Sequence, residues 1–351
     1  MTRLKTATPA LSGPAFLLGL GLSGLGLGLG LVLHAAPARA DGSQPDYSLA
    51  PKIVDQLNVV FGARPGLRKA HPKGECIAGT FTADPESAAS ITKAAPYNAS
   101  KPYPVIGRVS MATGNPKIPD TAHAARGLAV RLAPSADEDI DLVMITTPMF
   151  GASTAEEFLG LLTAITPDPA TGKPDKARLD AFFSAHPSVT RQMEWGNSHP
   201  VGASYVSTNY YGVHAFKFVD KAGKVSLGKI VVKPVGAAET LSDADAKEMG
   251  PDYLFPELEK RLAKAPAAMD VFVQLGLPGD PSNDPSRPWP EDRKLVHLGR
   301  LTIEKTTGQS CASEMFDPSR ISAGVEMSDD PVLPIRSAAY GVSLGQRIGG
   351  K

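Results

Sequence analysis

The sequence predicts an α+β fold, an eight-stranded antiparallel β-barrel with helical insertions and a helix near its C-terminal end. Three observations predict it. Strand-like runs occur eight times along the 351 residues, short turn signals join neighbouring runs as hairpins, and capped helical patterns fill the gaps.

The strand runs fall at 76–82, 104–111, 127–133, 139–147, 211–218, 226–234, 269–276 and 297–304. Several alternate or are rich in β-branched residues, as in Lys229-Ile230-Val231-Val232-Lys233, which suits a pleated, half-buried surface. Asp220-Lys221-Ala222-Gly223 makes a turn between the fifth and sixth runs, and connections this short require antiparallel order. Helical patterns cover 154–166, 176–185, 188–195, 243–249 and 256–264. Ser242 is placed to cap the fourth, and Ser153 precedes the first with Glu156 at capping-box spacing. A Pro-rich connector, 278–290, links the last two strands, and a final helix is expected over 334–346. No interdomain linker interrupts this order, so residues 41–351 read as a single domain.

Residues 1–40 stand apart and read as an export signal. Arg3 and Lys5 give a positive start, 16–33 is almost entirely Leu, Gly, Ala and Val, and Ala38-Arg39-Ala40 fits a small-x-small cleavage site. Cleavage there would begin the mature chain at Asp41 in the periplasm; uncleaved, the same apolar stretch would be a membrane anchor. Gly19-Leu20-Gly21-Leu22-Ser23-Gly24 matches the dinucleotide glycine pattern, but it lacks the strand and helix that the fingerprint needs, so NAD and FAD are set aside. Beyond residue 40 there are 33 basic and 36 acidic residues. No basic tract runs along the chain, which argues against nucleic acid as a partner.

Cys76 and Cys311 form no CxxC or Cys/His cluster, which argues against zinc, iron–sulfur and covalently attached haem. In an oxidising compartment the two could pair, or remain as buried thiols.

Two segments carry candidate chemistry. In a 334–346 helix, Arg336 and Tyr340 lie four apart on one face, so the guanidinium can favour an ionised phenol, and that oxygen can be an axial ligand of haem iron. An ordinary exposed Arg/Tyr helix pair has the same spacing. The second segment is Arg68-Lys69-Ala70-His71-Pro72-Lys73-Gly74, which offers an imidazole near cations; a lone histidine in such a place is either an acid/base or merely structural.

The order of further blocks resolves these alternatives. After Arg68, His71, Lys73 and Gly74 come Val105-Ile106-Gly107-Arg108-Val109-Ser110, Arg126-Gly127-Leu128-Ala129-Val130-Arg131-Leu132, Asp141-Leu142-Val143 and Thr147-Pro148. Asn209 to Lys217, Pro288-Trp289-Pro290, Phe316-Asp317-Pro318, Gly324-Val325-Glu326 and Arg336 to Tyr340 complete the series. Across nearly the whole chain beyond residue 40 this resembles the monofunctional haem catalases, and more narrowly the shorter catalase-related peroxidases.

The resemblance implies a catalase-type barrel, a haem b cofactor and hydrogen peroxide as substrate. It makes His71 the acid/base on the peroxide side, Ser110 the group that orients its ring, and Tyr340 the iron ligand, with Arg336 holding that oxygen ionised. His214 and Asp330 fall where a His and an Asp stand behind that arginine. Arg68, Arg108 and Arg347 match propionate partners, and Phe150 and Phe158 match aromatics lining the peroxide side of the pocket. His123, His186, His199 and His297 match nothing and read as structural or exposed.

Departures from the pattern shape the expected activity. Thr146 stands where catalases carry an Asn that helps position peroxide; a hydroxyl can still donate, but placing a second peroxide for dismutation is put in doubt. Gly151 stands where an aromatic is common. The chain stops eleven residues after Tyr340, and with its short N-terminal arm this suggests a monomer or homodimer with an open haem edge. The expected function is therefore a periplasmic haem peroxidase using a small organic reductant, with weak catalase activity at most. A fatty-acid hydroperoxide isomerase and a non-catalytic haem-binding protein are the alternatives.

Overall fold

The computed structural model describes residues 44–349; the expected export segment and its cleavage point lie outside the described residues. The strands are β1 (Gly74–Ala83), β2 (Tyr103–Met111), β3 (Arg126–Ser135), β4 (Glu138–Ile145), β5 (Val201–Gly202), β6 (Tyr210–Tyr211), β7 (Phe216–Val219), β8 (Val225–Pro234), β9 (Thr240–Leu241), β10 (Ala267–Leu275), β11 (Leu295–Thr306) and β12 (Val325–Met327). The helices are α1 (Leu49–Phe61), α2 (Pro85–Ala88), α3 (Ala95–Asn98), α4 (Ala155–Ala164), α5 (Lys176–Ala185), α6 (Pro187–Ser198), α7 (Asp243–Met249), α8 (Leu254–Leu262) and α9 (Val332–Ile348).

Alternation decides the barrel. In β3, Leu128, Val130 and Leu132 are buried in the main core while Arg131 between them faces the other way; this period of two is what a one-faced sheet needs. Antiparallel pairing runs β10-β11-β1-β2-β3-β4-β6-β8, and β8 pairs back onto β10. Eight strands thereby close a ring with no free edge. Its core includes Phe81, Val109, Met111, Tyr210 and Met269, each fully buried large apolar side chain contributing about 1.5–3 kcal/mol.

All eight expected runs are strands, with one correction. The run expected over 211–218 is two pieces, β6 and β7, which both pair with β8. His214 lies in the break, free of the ladder. β12 adds to β7 as an outlying strand.

Five expected helices appear as α4 to α8, and the C-terminal one as α9. Ser242 caps α7 by accepting from the Asp245 N–H. At α4 the cap is shifted by one residue: Thr154, not Ser153, accepts from the Glu157 N–H, and Ser153 instead donates to the Glu157 carboxylate. α1 was not expected. It packs Leu49, Ala50 and Ile53 against Ala155 and Leu162 of α4 and Ile335 of α9, a second core that holds the C-terminal helix in place. Among the described residues no helix is long and apolar enough to cross a membrane.

The cysteines are paired. Cys76 on β1 and Cys311 form a disulfide across 235 residues, with Cα atoms 5.8 Å apart. It pins the segment after β11 to the barrel wall, beside Phe316.

Candidate functional site

His71 sits just before β1, where the backbone is forced. Its φ is 58°, a left-handed value found at no other non-glycine among the described residues, and Pro72 follows, which itself disfavours compact backbone at the preceding residue. Strain of this kind costs about 1–3 kcal/mol and must be held by surrounding contacts. Here the His71 N–H donates to the Thr113 carbonyl at 2.8 Å, and its carbonyl accepts from Arg108 Nη1 at 2.8 Å.

The ring is held as firmly as the backbone. Nδ1 lies 2.9 Å from Ser110 Oγ, and Ser110 on β2 is paired with Gly127 on β3. A Cβ at Gly127 would stand 2.7 Å from Ser110 Oγ and 2.8 Å from His71 Nδ1. Gly127 therefore makes the space for the imidazole. Burial, then the charges of Arg108, Arg336 and Arg68, push the His71 pKa down to about 3, so the ring is neutral at ordinary pH. Nε2, with no partner among the described residues, is free to take and return a proton.

Three arginines gather nearby without a carboxylate. Arg68 donates to the carbonyls of Cys311 (3.3 Å) and Glu314 (2.8 Å), Arg347 to that of Glu314 (3.0 Å), and Arg108 to those of His71 and Pro72. Burial, with repulsion from Arg108 and Arg347, lowers Arg68 to about 9; burial chiefly lowers Arg108 to about 10. Arg347 Nε is buried and unpaired. Half-satisfied, mutually repelling guanidinium groups of this kind suit carboxylates.

Opposite charge logic operates on α9. Arg336 Nη2 donates to the Tyr340 hydroxyl oxygen at 2.6 Å, and Nη1 lies 2.6 Å from His214 Nε2. Because arginine can only donate, Nε2 accepts, and Nδ1–H donates to Asp330 Oδ2 at 2.6 Å. His214 and Asp330 are both buried, and desolvation, outweighing Asp330, lowers the His214 pKa. The break between β6 and β7 is what lets His214 reach this position.

A second carboxylate anchors the same helix. Ser337 donates to Asp317 Oδ2 at 2.5 Å, and the Asp317 N–H donates to Asp141 Oδ2, itself held by a two-pronged Arg131. The blocks Asp141-Leu142-Val143 and Phe316-Asp317-Pro318 thus support the helix that carries Tyr340. Arg68 and Arg336 both act on His71, and Tyr340 acts on Arg68, so the two ends face one interior.

The remaining expected residues divide. Thr146 Oγ1 accepts from the Arg126 N–H at 3.0 Å, one residue from Gly127, and keeps its proton for donation. Phe150 and Phe158 are grouped with α9. The Arg336 guanidinium lies 5.4 Å from the Phe150 ring centre, the two phenyl rings are 5.3 Å apart, and Phe158 packs into the core shared by α1, α4 and α9. Where the insertion folds back decides this, and spacing along the chain does not report it. His123, His186 and His297 pair with Asp243, Glu157 and Asp84, and His199 stacks on Trp195; Lys73 is ion-paired with Asp120 and Asp252. Gly127 stands in the sequence as part of its block, with no role assigned; the role follows from its register with Ser110.

Comparison with known proteins gives the family. The family model described as catalase matches residues 52–351. A catalase-related peroxidase of Synechococcus elongatus is 34% identical over 314 residues, covering 89% of this chain and 91% of its own. One of Mycolicibacterium paratuberculosis is 34% identical over 305 residues, covering 85% and 94%. A catalase of Vibrio cholerae is 27% identical over 85% of this chain and 61% of its own. Among solved structures, a bacterial catalase superposes with a TM-score of 0.71 at 22% identity over 90% of this chain and 64% of that one, which bears on the fold alone.

Proposed function

The chain belongs to the catalase family, and from that premise we propose that it is a haem b peroxidase that reduces hydrogen peroxide at the expense of a small organic donor. The observation that carries the reading is the pairing of two opposed sets: a phenol backed by Arg336, His214 and Asp330, and a neutral imidazole beside three arginines that lack a carboxylate. When bound, haem supplies the iron at which the peroxide O–O bond is cleaved and through which electrons pass from the donor.

The chain's residues do the rest. Arg68, Arg108 and Arg347 would hold the propionates, which would supply the missing carboxylates. Tyr340 would ligate the iron through its oxygen, to which Arg336 donates; by accepting from Arg336, His214 tethers the guanidinium and transmits the Asp330 charge to it. His71 Nε2 takes the proton from the near oxygen of peroxide and delivers it to the far one, which leaves as water. Ser110 fixes the ring plane for both transfers, and the Thr146 hydroxyl donates to peroxide. The donor then gives up two electrons and two protons, which with the second oxygen complete a second water.

A hydroxyl at position 146 and relatives named catalase-related peroxidases support donor oxidation over dismutation. Residues 1–40 and the disulfide support a periplasmic location. The deciding experiment is an absorption spectrum of the holoprotein with and without peroxide, beside paired assays of evolved oxygen and phenolic-dye oxidation. Dye oxidation should exceed oxygen release per haem; the reverse order would overturn the peroxidase assignment.

A further inference from the structure

The segment after β4 links the two ends of the site. Thr146 pairs with Arg126, whose neighbour Gly127 leaves the room that the His71 ring fills, and four residues later Phe150 lies against Arg336. An error in the placement of this short span would be felt by both. One side chain from the α4–α6 insertion fastens it.

Gln192 of α6 reaches down with its amide. Nε2 donates to Thr147 Oγ1 and to the Met149 carbonyl, each at 2.9 Å. Its Oε1 occupies the room that a side chain at position 151 would need, since a Cβ on Gly151 would come within 2.5 Å of it. The adjoining Arg191 donates to the Ser286 carbonyl at 2.6 Å, and the Phe150 N–H donates to Pro285. α6 thus braces the span from one side and the 285–286 turn from another.

We propose that Gln192 is a positioning residue for peroxide cleavage, holding Thr146 and Phe150 in place through the Thr147–Met149 turn, and that Gly151 is glycine to admit it. The inference rests on the peroxidase reading above. Gln192→Leu keeps the bulk and loses both hydrogen bonds. At equal haem content it should lower kcat/KM for hydrogen peroxide about tenfold, the worth of two ordinary hydrogen bonds, with kcat/KM for the dye unchanged. Gly151→Ala should imitate it by displacing the amide. Combined with Gln192→Ala it should cost no more than Gln192→Ala alone, because the clash is gone.

Amide hydrogen exchange reads the same anchor without turnover. In Gln192→Leu, exchange at residues 146–150 should quicken while the β1–β3 strands stay protected. Unchanged exchange there would overturn the anchor, and faster exchange with unchanged peroxide kinetics would overturn the positioning role. Should the wild-type protein show no peroxidase turnover, the functional reading fails, and exchange alone then decides the anchor.

Discussion

At position 71 the backbone is left-handed, a proline follows, and the ring must stay neutral among arginines. Each demand opposes folding, so the residue is held for what its ring can do. The electrostatics give a pH signature. An unfolded chain protonates this histidine near its ordinary 6.5, whereas the folded protein resists down to about 3. Between those values the unfolded state binds more protons, so His71 makes stability fall as pH drops through that window and contributes no pH dependence above it. His71→Ala should therefore lose part of the acid sensitivity in urea melts taken from pH 4 to 8. It should also lose at least a hundredfold in peroxide rate, while the wild-type rate of reaction with peroxide keeps its His71-dependent step flat across that range. An inflection near pH 6.5 that vanishes in His71→Ala would mean that the ring titrates normally and that the buried cluster is looser than described. At the other end, Tyr340→Phe should alter the haem absorption spectrum or lose the haem; an unchanged spectrum would remove Tyr340 as the ligand.

At the scale of elements, most of the fold was legible because its signals are local. Leu128, Val130 and Leu132 alternate, Asp220 to Gly223 turn, and Ser242 caps, each within a few residues. What escaped depends on partners distant in the chain. α1 has apolar residues at 49, 50, 53, 54 and 57, but Ser48 makes no capping bond and nothing local marks its start. The split between β6 and β7 serves Asp330 and Arg336, more than a hundred residues away. For the site, His71, Ser110, Arg336 and Tyr340 were legible from ordered blocks, whereas the contacts of Phe150 and Phe158, and the parts played by Gly127 and Gln192, follow from how the chain packs. The disulfide was an open choice for the same reason. Its position now predicts a coupled effect, because Cys311 and Glu314 supply the carbonyls that receive Arg68 and Arg347. Replacing both cysteines with serine should cost about 2–4 kcal/mol, seen as a lower melting temperature, and should also speed haem loss. Melting unchanged by the replacement would show that the cross-link does not constrain the unfolded chain.

For the whole molecule, the notable fact is that no single layer owns the site. The barrel supplies Arg108 and Ser110, the segments flanking its strands supply His71, Thr146 and Phe150, and the insertion supplies Phe158. The disulfide-pinned loop supplies the carbonyls for Arg68 and Arg347, and α9, resting on α1 and α4, supplies Arg336 and Tyr340. A group bound among all of them must favour the folded state over every partly opened one, since opening either core removes some of its contacts. Binding linkage sets the scale: free haem at about 100 times its dissociation constant stabilises by about 2.7 kcal/mol, whichever residues are involved. Relief of the repulsion among Arg68, Arg108 and Arg347 by the ligand's carboxylates is part of that affinity. Calorimetry of the apoprotein titrated with haem should show one melting transition that rises steadily, with the α1–α4–α9 core and the barrel protected together in hydrogen exchange. Two separable transitions, or a melting temperature indifferent to haem, would mean that the ligand touches one layer only, and the assignment of its contacts to several layers of the fold would fall.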